Sequence, residues 1–173
     1  MSDEHAELPQ WRPMTQGDLS AVYDLSTRIH PNFPERAEVL AEKFRLFPRG
    51  CSVLDASGVP IHGYCFSHPW HAGSPPALDA MLHALPDRPD VYFIHDLTVD
   101  ASLRRRNLAS VLVMQLIEIA EGIPVGLMTL VAVGGSEPFW TRTGFREAAD
   151  EALQAAARAK YGAGAIAMER DLI

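Results

Sequence analysis

Cysteine and net positive charge are scarce in this sequence, and long apolar runs and internal repeats are missing. The two cysteines, Cys51 and Cys65, sit in apolar stretches. They have neither the spacing of a zinc site nor the density of a disulfide framework, so they read as buried free thiols. Fifteen Lys and Arg against 22 Asp and Glu give a formal net charge of -7. That argues against a nucleic-acid partner, which would need a positive field, and requires any anionic ligand to find a local positive spot. No stretch is apolar for long enough to cross a bilayer, so no membrane partner is expected. The opening residues are polar and acidic where a secretory signal would be basic and then apolar. The expectation is a cytoplasmic protein, monomer or homodimer, with residues 1–10 a flexible N-terminus.

The 173 residues, 47% hydrophobic and 21% charged, have the balance of one globular domain, taken here as 11–173. Helical spacing of apolar residues marks 18–30, capped by Asp18 or Thr15, and 35–47 after Pro34. Strand-like runs at 51–55 and 61–67 flank a Gly- and Pro-punctuated turn at 56–60, which predicts an antiparallel pair. The stretch 68–89 is rich in Pro, His, Ala and Asp, with one helical turn expected at 78–85. A loop of that length in a compact domain is often functional. The run 91–99 reads as a buried strand. The segment 108–120, apolar almost all round, suits a helix covered on both sides, and 127–133 is another apolar strand. Strand, helix, strand in that order predicts a right-handed parallel crossover. A short helix at 137–143, a turn at Gly144, a strand around Phe145, a helix at 151–160 and a strand at 165–172 complete an α/β chain.

Chemistry concentrates where the buried strand meets the buried helix, at Arg104, Arg105, Arg106, Asn107, Leu108, Ala109 and Ser110. A helix start offers free backbone N–H groups and the positive end of the macrodipole. Small residues there let a pyrophosphate approach, and the arginines neutralise it. The same segment also reads as a solvated basic turn that merely caps the crossover.

Arg104, Asn107 and Ala109 fall on the three defined positions of the Arg/Gln-x-x-Gly-x-Gly/Ala motif, and the segment resembles the acyl-CoA loop of the GNAT N-acetyltransferases. The run from Leu130 through Gly134, Gly135, Phe139 and Trp140 to Gly144 and Phe145 is similar to a second segment of that family. The likeness covers nearly the whole chain. It implies the GNAT fold: a single domain with a central mixed, mostly antiparallel sheet whose two central parallel strands splay to admit acetyl-CoA. It implies that Leu97, Thr98 and Val99 pair with pantetheine, that residues 104–110 hold the pyrophosphate, and that Phe139 and Trp140 lie beside the cofactor. No metal is required. Asn107 replaces the usual glycine, although Asn tolerates the left-handed backbone better than most residues.

Within the family, Ile94 to Val99 and Pro138-Phe139-Trp140 resemble the serotonin (arylalkylamine) N-acetyltransferases. That likeness makes His95 the candidate proton acceptor, with an intrinsic pKa of about 6.5. Strand alternation puts Asp96 on the opposite face. Trp140 stands where those enzymes carry a tyrosine, and an indole N–H is no general acid near neutrality. Ser136 could stabilise the leaving thiolate, and Tyr161 could supply a phenol if the last helix brings it in. Phe33, Glu35, Phe66, His68 and Trp70 form the candidate acceptor wall, aromatics beside a carboxylate suiting a small amine. The expected activity is acetyl transfer to a small primary amine. The alternatives are acetylation of a protein N-terminus or lysine, and a non-catalytic acyl-CoA sensor.

Overall fold

The computed structural model describes residues 8–56 and 60–173. The elements are β1 (Gln10–Pro13), α1 (Leu19–Ile29), α2 (Ala37–Leu46), β2 (Cys51–Asp55), β3 (Gly63–Trp70), β4 (Val91–Val99), α3 (Leu108–Glu121), β5 (Leu127–Ala132), α4 (Glu137–Arg142), β6 (Arg146–Glu147), α5 (Glu151–Tyr161) and β7 (Ile166–Asp171). Among the described residues one seven-stranded sheet forms in the order β1-β2-β3-β4-β5-β7-β6. β4 and β5 are parallel, joined by α3, and every other pairing is antiparallel. This is the mixed, mostly antiparallel sheet with one parallel crossover expected from the sequence.

The sheet separates two cores because its strands bury side chains on both faces. On one face Tyr92, Ile94 and Met128 meet Leu112 and Leu116 of α3. On the other Val53, Tyr64 and Phe66 meet Val22 and Leu25 of α1 and Leu40 of α2. Both cysteines are free and buried. Asp18 holds the entry to α1: its carboxylate accepts the Thr15 backbone N–H at 2.7 Å and a two-pronged ion pair from Arg12. Gly144 turns the chain out of α4 at a φ of 92°, where an added Cβ would strike the Arg170 guanidinium.

Three expectations need correction. Gln10 already pairs with Asp55; a four-residue edge strand ending in proline is too short to show a period of two. Residues 1–7, and 57–59 of the turn between β2 and β3, lie outside the described residues. The helix α3 is covered on one side only, leaving Val111 51% and Met114 60% exposed, so its all-round apolarity did not report two-sided burial. Finally, no helical turn forms at 78–85, where Asp79 and His83 take left-handed φ values of 54° and 66°. The reason is tertiary. Glu42 of α2 accepts the Leu82 and His83 backbone N–H groups, and Glu35 accepts that of Asp79, so these amides bond across to carboxylates instead of along a helix.

Candidate functional site

The parallel strands part company halfway along. β4 and β5 pair from Val91↔Leu127 to Ile94↔Leu130 and no further, although β4 runs on to Val99. Beyond Ile94 the β5-facing edge of β4 is unpaired. On its other edge β4 bulges: Ser67 pairs with Ile94 and Phe66 with Asp96, so His95 is the extra residue. A bulge shifts the phase of side-chain alternation. Tyr92, Ile94 and Leu97 pack towards α3, whereas His95, Asp96 and Thr98 all bond on the α1/α2 side. The alternation argument that sent Asp96 to the opposite face from His95 is thereby overturned.

A cavity of about 790 Å³ opens in the gap. Of the residues expected to face a cofactor, Leu97, Thr98, Val99, Arg104, Arg105, Asn107, Leu108, Ala109, Ser110, Phe139 and Trp140 line it, and Arg106 does not. Asn107 takes φ 57° and ψ 13°, the left-handed conformation a glycine would supply, and its carbonyl accepts the Val111 N–H, the first α-helical bond of α3. The amides of Leu108, Ala109 and Ser110 precede that bond and have no intrahelical partner. Two arginines, small side chains and a bare helix start therefore converge on one wall. This donor set fits a pyrophosphate, and the unpaired edge of β4 fits an amide-bearing chain such as pantetheine.

Ser136 lines the cavity after the turn at Gly134 and Gly135, whose φ values are 60° and 74°. Trp140 is 7% exposed and packs edge-on against Phe139 and Phe145. Tyr161 is elsewhere. It is buried, burial pushes its phenol well above the usual value, and its hydroxyl donates to the Pro76 carbonyl.

Of the acceptor wall, only Phe33 reaches the cavity. Phe66 belongs to the α1/α2 core, His68 is sealed with burial lowering its pKa to about 3, and Trp70 donates to the Ser74 carbonyl. Glu35 faces inward. Both of its oxygens meet His95 Nε2, and Lys43 Nζ lies 3.8 Å away. Burial raises the Glu35 pKa, but His95 and Lys43 outweigh it and hold the carboxyl at about 2. Burial meanwhile pushes the Lys43 ammonium down. The His95 side chain is 0% exposed while the residue as a whole is 9% exposed, so what His95 shows the cavity is backbone.

A second histidine, unmarked by any periodicity, does open onto the cavity. His30 lies where the chain leaves α1, its side chain 30% exposed and its Nε2 2.7 Å from Thr98 Oγ1. Thr98 donates to Asp96, which also accepts from Tyr64. The alternate spacing of Asp96 and Thr98 could have flagged their shared face. Nothing local could have brought His30 to them.

Residues 19–145 match the family described as the acetyltransferase (GNAT) family. The chain belongs to the GNAT acetyltransferases. No curated protein matches its sequence. Among solved structures, it shares its fold with the GphF GNAT-like decarboxylase in complex with isobutyryl-CoA (17% identity, 95% of this chain and 100% of that one, TM-score 0.73). The ribosomal-protein-S18-alanine N-acetyltransferase from Escherichia coli is similar at 17% identity, 95% and 94% coverage and a TM-score of 0.63. The N-acetylglutamate synthase from Neisseria gonorrhoeae, complexed with coenzyme A and N-acetyl-glutamate, matches at 16% identity and a TM-score of 0.69, over 96% of this chain and 35% of that one. As a GNAT enzyme the protein is an acyltransferase with an acyl-CoA co-substrate, for which acetyl-CoA fits. Among the described residues no group of three or more His, Cys, Asp or Glu is placed to hold a metal, and no helix is long and apolar enough to cross a membrane.

Proposed function

We propose that this GNAT enzyme transfers an acetyl group from acetyl-CoA to the primary amine of a small molecule by direct attack. One observation carries the proposal: a single cavity of about 790 Å³ joins the arginine and helix-start wall to His30 and Phe33 through the strand gap. Small-molecule sites span roughly 300–1,000 Å³, so once pantetheine fills the gap the remaining volume suits a compact acceptor. The likeness of residues 94–99 and 138–140 to arylalkylamine N-acetyltransferases points the same way.

Arg104 and Arg105 would neutralise the pyrophosphate over the amides of Leu108, Ala109 and Ser110, and the free edge of β4 at Leu97, Thr98 and Val99 would pair with pantetheine. Fixed this way, the thioester carbonyl sits beside the bulge. Backbone N–H groups there can polarise it without reorganising during reaction. His95, held by Glu35, keeps the bulge in place. The amine nitrogen bonds to the carbonyl carbon, the C–S bond breaks, and the Ser136 hydroxyl is available to the departing thiolate. Trp140 packs beside the cofactor as a wall, and the thiolate takes its proton from water.

The test is an acetyl-CoA assay with panels of small amines and of peptides bearing free N-termini and lysines. Thiol release matched by acetylated small amines is expected. Transfer confined to peptides would replace this acceptor class with proteins, and tight acetyl-CoA binding without any transfer would make the protein a sensor.

A further inference from the structure

We infer that His30 is the proton acceptor for the attacking amine, with Thr98 and Asp96 as its positioning residues; this rests on the acetyl-transfer reading above. The hydrogen-bond chain fixes the chemistry by proton count. As a carboxylate, Asp96 only accepts. It takes the Tyr64 hydroxyl proton on Oδ2 at 2.7 Å and the Thr98 hydroxyl proton on Oδ1 at 2.9 Å. The single proton of Thr98 is thereby committed. In its contact with His30, at 2.7 Å, Thr98 must accept and His30 Nε2 must donate. Neutral His30 is therefore the Nε2–H tautomer, and Nδ1 carries the basic lone pair.

That lone pair has no protein partner among the described residues, and the imidazole is 30% exposed on the wall shared with Leu97, Thr98 and Ser136. Histidine can take up a proton near neutral pH. The resulting imidazolium would be stabilised by Asp96 Oδ1, 3.7 Å from Nε2. His95 has the opposite character: its Nε2 is held by Glu35 and its Nδ1 is sealed without a partner. A proton leaving the cavity has an open histidine in one direction and a closed one in the other.

The step balances. As the amine nitrogen bonds to the carbonyl carbon and the thiolate departs, the surplus N–H proton passes to His30 Nδ1. His30 then returns it to solvent, and the thiolate takes one, giving amide and free thiol. The other charged groups about His30 are Arg28, two residues before it and paired with Asp100 at 3.4 Å, and Arg104, Arg105 and Arg142 elsewhere on the cavity wall. Asp96 is its only carboxylate neighbour within 4 Å among the described residues.

Two measurements test this. Long-range ¹H–¹⁵N NMR on the ligand-free protein reads the tautomer without any substrate. The neutral Nε2–H form of His30 is expected, shifting towards a tautomer mixture in Thr98→Val, and a neutral Nδ1–H form in the wild type overturns the assignment. In the acetyl-transfer assay, His30→Gln should lower kcat about 10²–10⁴-fold and abolish its rise with pH, with acetyl-CoA binding unchanged. Asp96→Asn should lower kcat with KM retained. Wild-type kcat and pH dependence in His30→Gln would overturn the proposal. Should the wild type acetylate no amine, the acetyl-transfer reading fails, and the tautomer measurement still decides the hydrogen-bond geometry.

Discussion

Both carboxylate oxygens of Glu35 lie against His95 Nε2, at 2.9 and 3.0 Å. One residue comes from the connection between α1 and α2 and the other from the bulge of β4, so this contact ties the helical layer to the sheet at the point where β4 leaves β5. Lys43, beneath, completes a cluster shut away from water. Its stability depends on the charges being present together.

Removing one charge strands the others. Glu35→Gln should destabilise the protein by about 3–5 kcal/mol, measured as a lower urea midpoint at unchanged slope. Combining it with Lys43→Met, which removes the stranded ammonium at similar volume, should recover part of the loss.

The same cluster sets an acid limit. Glu35 titrates at about 2 in the folded protein, below the ordinary 4.5. Because the folded value is depressed, its contribution is present above the unfolded value and is lost as pH falls from about 4.5 through about 2. Urea unfolding across that window should show stability falling with pH, with a shallower fall in Glu35→Gln.

Asn107 stands at φ 57° at the start of α3. Asn107→Gly should keep the fold and acetyl-CoA binding. Asn107→Val should cost about 1–2 kcal/mol, the left-handed penalty of an ordinary L-residue, and weaken acetyl-CoA binding by misdirecting the helix start. Calorimetric titration and thermal melts of both variants distinguish these outcomes.

Arg104→Ala and Arg105→Ala remove positive charge from the anion wall. Each should weaken CoA binding while leaving that of pantetheine, which lacks the pyrophosphate, unchanged. The salt dependence of CoA binding should fall in parallel, since it reports charge neutralisation.

Tyr161 donates to Pro76 and lies away from the cavity. Tyr161→Phe should cost about 1 kcal/mol of stability and leave the rate and pH profile of acetyl transfer in place. A collapse of kcat in a stably folded variant would return Tyr161 to the chemistry.

The cofactor half of the site was legible because it is local. Arg104, Asn107, Ala109 and Ser110 lie within seven residues of one another, at a strand-to-helix junction that periodicity alone locates. The acceptor half is built across distance. His30 meets Thr98 over 68 residues and Glu35 meets His95 over 60; no spacing rule reaches that far. Glu35 and His68 were read as cavity walls; Glu35 turned inward, away from exposed sequence neighbours, to meet buried His95 and Lys43, and His68 lies within a strand buried from Gly63 to Pro69.

By itself the sequence determined the order of the main strands and helices from α1 onward, the parallel crossover and the positive spot at the start of α3, since hydrophobic periodicity and residue type act within a few residues. Only the tertiary structure decided which histidine opens to the cavity. That choice turns on a one-residue bulge at His95, which puts two successive polar side chains on the same face, and on an α1 terminus that lands beside Thr98. Both are settled by packing between elements far apart in the chain, so neither leaves a mark on the local pattern.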